Sequence, residues 1–353
     1  MAAVRLRTKL LFWLILGTLS VFFAEVASGS APFPFYDAWG LYAVLPLYSL
    51  HIVFLSFAVL RPGRRIPFAA LFCAGAVFGL YEAYITKVIW DPTWGEQGLA
   101  VGGVYLAQTA MLVLYWHPFM AFIAPLTAGE LLLASSTETL DALPGPVRRA
   151  LRTPWIFAGA VLAGAFAGVS KAVNSPTPGH AVLSVVSSAA VPGLLALLWL
   201  RAPGWERRAG LGLHELLPDG RQGLVIGLLL AAYYVVAGIF IRPEAMPRTI
   251  VPHLTVWALY AVFCGLAVGA TMGAARRRRA GPPPAIPPGA VPKGRGRTVA
   301  ASAAFVATLP VVSAALSRRT EAAGALALAA GLLGMATGLA FTVSAVVATI
   351  RRS

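Results

Sequence analysis

The sequence predicts an all-α protein, a polytopic bundle of about ten transmembrane helices with both termini cytoplasmic. Three observations carry that prediction. Of 353 residues, 58% are hydrophobic and only 12% charged, with a mean hydropathy of +0.77; soluble domains carry about 25% charged residues. The apolar runs repeatedly reach the ~20 residues that cross a bilayer. Basic residues fall at alternate ends of those runs.

Taken in order, the spans read as 10–28, 41–60, 67–90, 101–124, 155–173, 181–200, 222–241, 252–275, 299–316 and 323–350. The first follows Arg5, Arg7 and Lys9. It is read as an uncleaved anchor, not a signal peptide, because its apolar stretch is long and Glu25 stands where cleavage would fall. Arg61, Arg64 and Arg65 follow the second span, and Arg148, Arg149 and Arg152 the fourth. Arg201, Arg207, Arg208 and Arg221 follow the sixth, and Arg276 to Arg279, Lys293, Arg295 and Arg297 the eighth. With Arg351 and Arg352, 22 of the 28 Lys and Arg residues lie on one side. Positive charge accumulates in loops that stay in the cytoplasm. The net charge of +15 is therefore a topology signal, and no nucleic-acid partner is expected. Arg318 and Arg319, between the last two spans, run against the trend.

Four segments are expected: 1–134, with the polar intramembrane residues; 135–275, four further helices; 276–298, a linker; and 299–353, a helical hairpin. In the linker, "RRRRAGPPPAIPPGAVPKGRGR" cannot pack as a helix, and its charge keeps it solvated. Gly164 and Gly168, Gly223 and Gly227, Gly265, Gly269 and Gly273, and Gly334 and Gly338 are each spaced by four, which lets helix backbones approach. Such faces would serve packing within the chain or a homo-oligomer. Cys73 and Cys264 sit in apolar runs and form neither a disulfide framework nor a metal motif.

The front part holds most of the candidate chemistry. In "GLYEAYITKVIW", Glu82 shares a helical face with Gly75 and Gly79, while Lys87 lies about 140° away. The two charges are poorly placed to pair. Lys87 can snorkel to the headgroups, whereas Glu82 points among its neighbours. A charge at mid-membrane costs about 2.5–3.5 kcal/mol on insertion scales. Glu82 must therefore find a partner on another helix, meet water or take up a proton.

Glu25 lies toward the same outer end, followed by the Ser, Gly, Pro and aromatic residues of 28–40, read as an interfacial loop. His51, with Tyr48 three residues before it, lies mid-span and reads as a satisfied core residue or a proton carrier. Tyr105, Gln108, Leu112 and Tyr115 follow helical spacing as a semi-polar stripe, and His117–Pro118 marks a kink. Glu130 is expected at the cytoplasmic interface. Lys171, Asn174, His180, Arg242, Arg248 and His253 at the outer ends read as solvated loop groups. The binding or coupling candidates are thus Glu82, Glu25, His51, Lys87, Tyr48 and Gln108. No constellation points to a metal or an organic cofactor, and the nucleotide-loop, zincin and serine-hydrolase motifs are missing.

The stretches "FFAEVASGSAPFPF", "WGLYAVLPLYSLH" and "FGLYEAYITKVIW" together resemble an uncharacterised family of prokaryotic multi-pass membrane proteins. The resemblance covers about the first quarter of the chain. It implies that Glu25, His51, Glu82 and Lys87 belong to the family's characteristic part, and it places the protein in a prokaryotic cell membrane. It supplies no substrate.

Three functions remain open on the sequence. One is binding or transport of a small solute or lipid at a polar site in the outer half of the first four helices. The second is an intramembrane enzyme using Glu82 and Glu25 as acid and base on a lipid. The third is an assembly protein docking through its glycine faces. The topology is directly testable: single cysteines at Ala38 and Ala285 are expected to label from opposite sides of intact cells. Labelling of both from outside overturns it.

Overall fold

The computed structural model describes residues 4–60, 66–92, 98–201, 210–276 and 295–350. The linker expected at 276–298 lies outside the described residues except at its ends. Ten long helices dominate the described chain: α1 (Leu6–Val26), α2 (Gly40–Val59), α3 (Phe68–Tyr84), α4 (Leu106–Leu133), α5 (Trp155–Val173), α6 (Pro178–Arg201), α7 (Gly220–Phe240), α8 (Ile250–Arg276), α9 (Arg295–Leu316) and α10 (Thr320–Ile350). Nine of them are long and apolar enough to cross a membrane. The all-α, polytopic character read from composition is what the chain adopts.

The exception is α3. The span expected at 67–90 stops at Tyr84, after a break at Leu80. Beyond it, Lys87 takes a left-handed backbone (φ 61°), and the amides of Trp90 and Asp91 both donate to its carbonyl. That turn ends helical propagation, so the apolar residues to Trp90 form a folded connection. A small hairpin follows, with Ala100–Val101 paired to Val104–Tyr105. Its two turn residues, Gly102 and Gly103, have φ of 59° and 78°, the left-handed pair a two-residue hairpin turn requires. The amide of Tyr105 donates to Ile89 O and ties this hairpin to the connection that follows α3 (2.9 Å).

α4 has a wide stretch from Ala110 to Ile123, with five-residue hydrogen-bonded turns. Pro118 lies inside it and has no N–H to give the ladder. Widened turns of this kind cluster at functional sites. The kink read at His117–Pro118 is therefore a long local unwinding. It brings Pro118 and His117 against the small face of α3. A Cβ added at Gly75 would stand 2.4 Å from Pro118 Cα, and one at Gly79 3.0 Å from Val113 Cα.

Small residues make the other close crossings. Gly164 and Gly168 of α5 meet the carbonyls of Phe305 and Leu309 on α9, where an added Cβ would lie at 2.8 and 2.7 Å. Gly223 and Gly227 of α7 receive Phe57 and Phe54 of α2, and Gly334 and Gly338 of α10 receive Tyr115 and Leu114 of α4. These faces are consumed within the chain. Gly265 on α8, by contrast, has no atom of the described residues within 4 Å of an added Cβ. The packing links distant parts of the sequence: α9 lies along α5, α10 against α4 and α5, and α1 against α2, α4 and α6.

At the end read as cytoplasmic, Lys9 Nζ donates to Gln222 Oε1 (3.0 Å) and Trp13 Nε1 to Leu216 O (2.8 Å). Glu130, expected at the interface, is fully buried there. Its carboxylate accepts from Ser136 Oγ (2.7 Å), Thr139 Oγ1, and the amides of Glu138 (2.5 Å) and Thr139 (2.9 Å). It closes the start of the short helix Glu138–Ala142, where free N–H groups favour a negative charge.

The contrast between glycines is testable. Gly75→Ala is expected to destabilise the detergent-solubilised protein by about 1–3 kcal/mol, the range for overpacking a filled contact. Gly265→Ala is expected to leave thermal unfolding unchanged. Equal effects of the two substitutions would contradict the α3–α4 packing.

Candidate functional site

A cavity of about 780 Å³ opens at the end of the bundle read as outer. Its exposed rim includes Ser30, Trp39, Val173 and Asn174, and its buried base is Tyr48, Tyr81, Glu82 and His117. The walls come from α1 to α4, and also from α5 through Ser170 and from the last turns and end of α7 through Tyr233 and Ile241. The segment after α1 helps form the mouth. It is pinned to α6, since Ser184 Oγ donates to Pro32 O (2.7 Å) and Tyr36 Oη to Ser187 O (2.7 Å). Gly29 turns it with φ 87°, against Asn174 and the stem of Lys171.

Three of the six candidates converge here. Glu82 points from the Gly75–Gly79 face into the bundle and is 6% exposed. Thr86 donates to Glu82 Oε2 from one turn along the chain, and His117 Nε2 lies 3.3 Å from Glu82 Oε1. Glu25 accepts from Tyr48 Oη and, through its other oxygen, from Ser30 Oγ (2.5 Å). Tyr48 Oη lies 3.0 Å from Tyr81 Oη, which lies 3.1 Å from His117 Nε2. The two carboxyls are thus joined through two phenols and an imidazole.

The imidazole tautomer follows from its partners. His117 Nδ1 is 2.9 Å from Leu112 O, a carbonyl that can only accept, so Nδ1 carries a hydrogen. Nε2 then either accepts from Tyr81 or, holding a second proton, donates to Glu82. A proton placed between Glu82 and His117 makes their approach attractive. Without one, two lone pairs face each other. The arrangement can take up, hold and pass on one proton.

The other three candidates lie elsewhere. His51 is buried and does not line this cavity. Its Nδ1 donates to Leu47 O (2.8 Å), its Nε2 faces Tyr234 Oη (2.9 Å), and its ring stacks on Phe78 at 4.7 Å. It borders a second cavity of about 580 Å³ with Tyr84, Tyr234, Trp257 and Tyr260. Gln108 is half-buried on α4 and lines neither cavity.

Lys87 does not snorkel. It is fully buried, and its ammonium donates to Gly238 O (2.9 Å) and Ile241 O at the C-terminal end of α7. The last carbonyls of a helix lack intrahelical partners and carry partial negative charge, which is what a cation there satisfies. The left-handed turn at Lys87 aims its side chain inward. Lys171, read as solvated, is also buried and donates to Ser184 Oγ (2.6 Å). Arg242 pairs with Asp91 and donates to Thr86 O (3.0 Å).

The sequence candidates do not include Tyr81, Thr86, Ser30 or Trp116, and His117 reads there only as a kink. Thr86 carried a signal, since it shares the face of Glu82. Tyr81 and His117 carried none: an aromatic in an apolar run reads as packing, and the widened turns of α4 move His117 off ideal helical spacing.

A family model described as an uncharacterized membrane protein family matches residues 14–352. The chain belongs to that family. An uncharacterized protein of Archaeoglobus fulgidus is 35% identical over 255 residues, 71% of this chain and 75% of its own. No solved structure matches the chain. The family match extends the N-terminal resemblance through nearly the whole chain, and its span takes in the cavity residues from α5 and α7 as well as those from α1 to α4.

The placement of Lys87 sets an expectation. Lys87→Gln shortens the side chain and removes the charge beneath the end of α7. It is expected to lower stability by about 1.5–3 kcal/mol, the scale of hydrogen bonds to a charged group. Thermal unfolding in detergent reads this. An unchanged midpoint would mean that the contacts to Gly238 and Ile241 carry no weight.

Proposed function

We propose that this membrane protein binds a small solute in the cavity at its outer end and moves it across the bilayer, with the Glu82–His117 pair exchanging a proton as it does so. The observation that carries the reading is the cavity itself. It leads from an exposed rim to two carboxyl groups at membrane depth, where an ionisable residue is expensive and marks a pathway or relay by default. Its volume is in the range of small-molecule sites. The wall spans six helices, so a change in the tilt of α5 or α7 relative to α1–α4 would alter access to the base.

Acid–base chemistry on a lipid is the competing reading. It draws on the second cavity, where His51 and three tyrosines, Tyr84, Tyr234 and Tyr260, border a route for an apolar chain between α2, α3, α7 and α8. That reading needs a lipid group brought between Glu25 and Glu82, and neither carboxyl lines the second cavity.

Two measurements test the proposal. In a background lacking Cys73 and Cys264, Leu112→Cys at the base and Ala43→Cys in the wall are expected to react with a membrane-impermeant thiol reagent added outside. Leu229→Cys, on the exposed face of α7, is expected to stay unreactive. Metabolite and lipid profiling of a deletion strain is expected to show one displaced soluble compound, restored by the wild-type chain and not by Glu82→Gln, which keeps its shape but loses the titratable proton. An unreactive Leu112→Cys, or full rescue by Glu82→Gln, overturns the proposal. A displaced lipid pair related as substrate and product transfers the case to the enzyme reading.

A further inference from the structure

Resting on the reading that this cavity holds a solute, we infer that its ligand is an organic cation, a protonated amine on an apolar frame, bound in exchange for a proton. The inference comes from a count of donors and acceptors. At the base, Tyr48 spends its hydrogen on Glu25 and Thr86 spends its own on Glu82. Tyr81 is engaged with Tyr48 and His117, and His117 Nδ1 with Leu112 O. In the walls, Trp116 Nε1 donates to Ala24 O (3.1 Å) and Tyr233 Oη to Ala43 O (2.7 Å). Those two rings therefore offer a ligand only their apolar bodies. What remains open at the base is acceptor capacity, chiefly the spare lone pairs of the two carboxylates.

The charges agree with the count. Glu25 and Glu82 are the charged side chains among the described lining residues. Three cations come close to this end of the bundle and face away: Lys87 to the carbonyls of α7, Lys171 to Ser184, and Arg242 to Asp91. Among the described lining residues, an anionic ligand would meet two carboxyls and no cationic side chain. An ammonium meets acceptors and aromatic rings, the pairing that cation recognition uses. Its arrival favours the ionised form of both carboxyls, so the proton held between Glu82 and His117 leaves to solvent as the cation enters. Charge in the buried base is then conserved, which avoids adding a net charge at membrane depth.

Three probes with nearly the same frame separate charge from shape: 2-phenylethylamine, 2-phenylethanol and phenylacetate. Titration calorimetry on the full-length protein in detergent is expected to show the amine binding at least roughly tenfold tighter than the alcohol, ~1.4 kcal/mol, with no binding of phenylacetate. Repeating the amine titration in two buffers of different ionisation heat is expected to reveal proton release. Glu82→Gln is expected to abolish that release and to narrow the gap between amine and alcohol. Equal or tighter binding of the alcohol or of phenylacetate overturns cation selection while leaving solute binding in place. Amine binding without proton release overturns the exchange. If none of the three binds although Leu112→Cys is water-accessible, the inference falls alone; if Leu112→Cys is also unreactive, both readings fall.

Discussion

The structure depends on placing one carboxyl group, Glu82, inside an apolar bundle. Its burial costs a few kcal/mol unless partners are brought to it, and the partners come from α4, which must therefore approach α3 closely. Gly75 and Gly79 provide that approach: a Cβ at Gly75 would collide with Pro118, and one at Gly79 would crowd Val113. Pro118 in turn interrupts the ladder of α4, and the widened turns around it carry His117 to Glu82 and let its other nitrogen reach Leu112 O, five residues back. Small residues, a missing backbone donor and a buried acid thus form a single solution. Interhelical hydrogen bonds in membranes average only about 0.6 kcal/mol, so the tight α3–α4 contact does most of the holding and the polar bonds fix orientation.

A second consequence lies at the end of α3. By turning left-handed at Lys87, the chain ends α3 early and delivers an ammonium to the open carbonyls of α7. One residue thereby stops one helix and finishes another, and the cavity gains a wall from α7. The loop after α1, held to α6 through Pro32 and Tyr36, closes the remaining side. The cavity is a meeting of helix ends, which is why six helices contribute to it. In the cation-exchange reading, the same geometry explains why three nearby basic side chains leave the interior acidic: each is already committed to a backbone or side-chain partner of its own.

Glycine spacing illustrates how the same signal takes different outcomes. The pairs in α5, α7 and α10 are filled by α9, α2 and α4, while Gly265 on α8 meets no neighbour among the described residues. Spacing by four says that a helix can be approached closely. It does not say by what, because the partner is chosen by the whole arrangement of helices.

The sequence by itself determined the all-α class, the positions of the nine long apolar helices among the described residues and the face on which Glu82 lies. These follow from local quantities: hydropathy over one bilayer thickness and the rotation of 100° per residue. It also drew attention to Glu25, Tyr48 and Glu82, because intramembrane acids stand out against an apolar background. Only the tertiary structure decided that these three meet, that His117 and Tyr81 join them, and that His51 faces a different cavity. It likewise decided that Lys87, Lys171 and Glu130, which read as interfacial or solvated, are buried. The physical reason is that a polar side chain's environment is set by what lies across from it. Here the residues across are remote in the chain, 69 positions between Tyr48 and His117 and 151 between Lys87 and Gly238. They are brought together by a widened helix and a left-handed turn that regular helical periodicity does not contain.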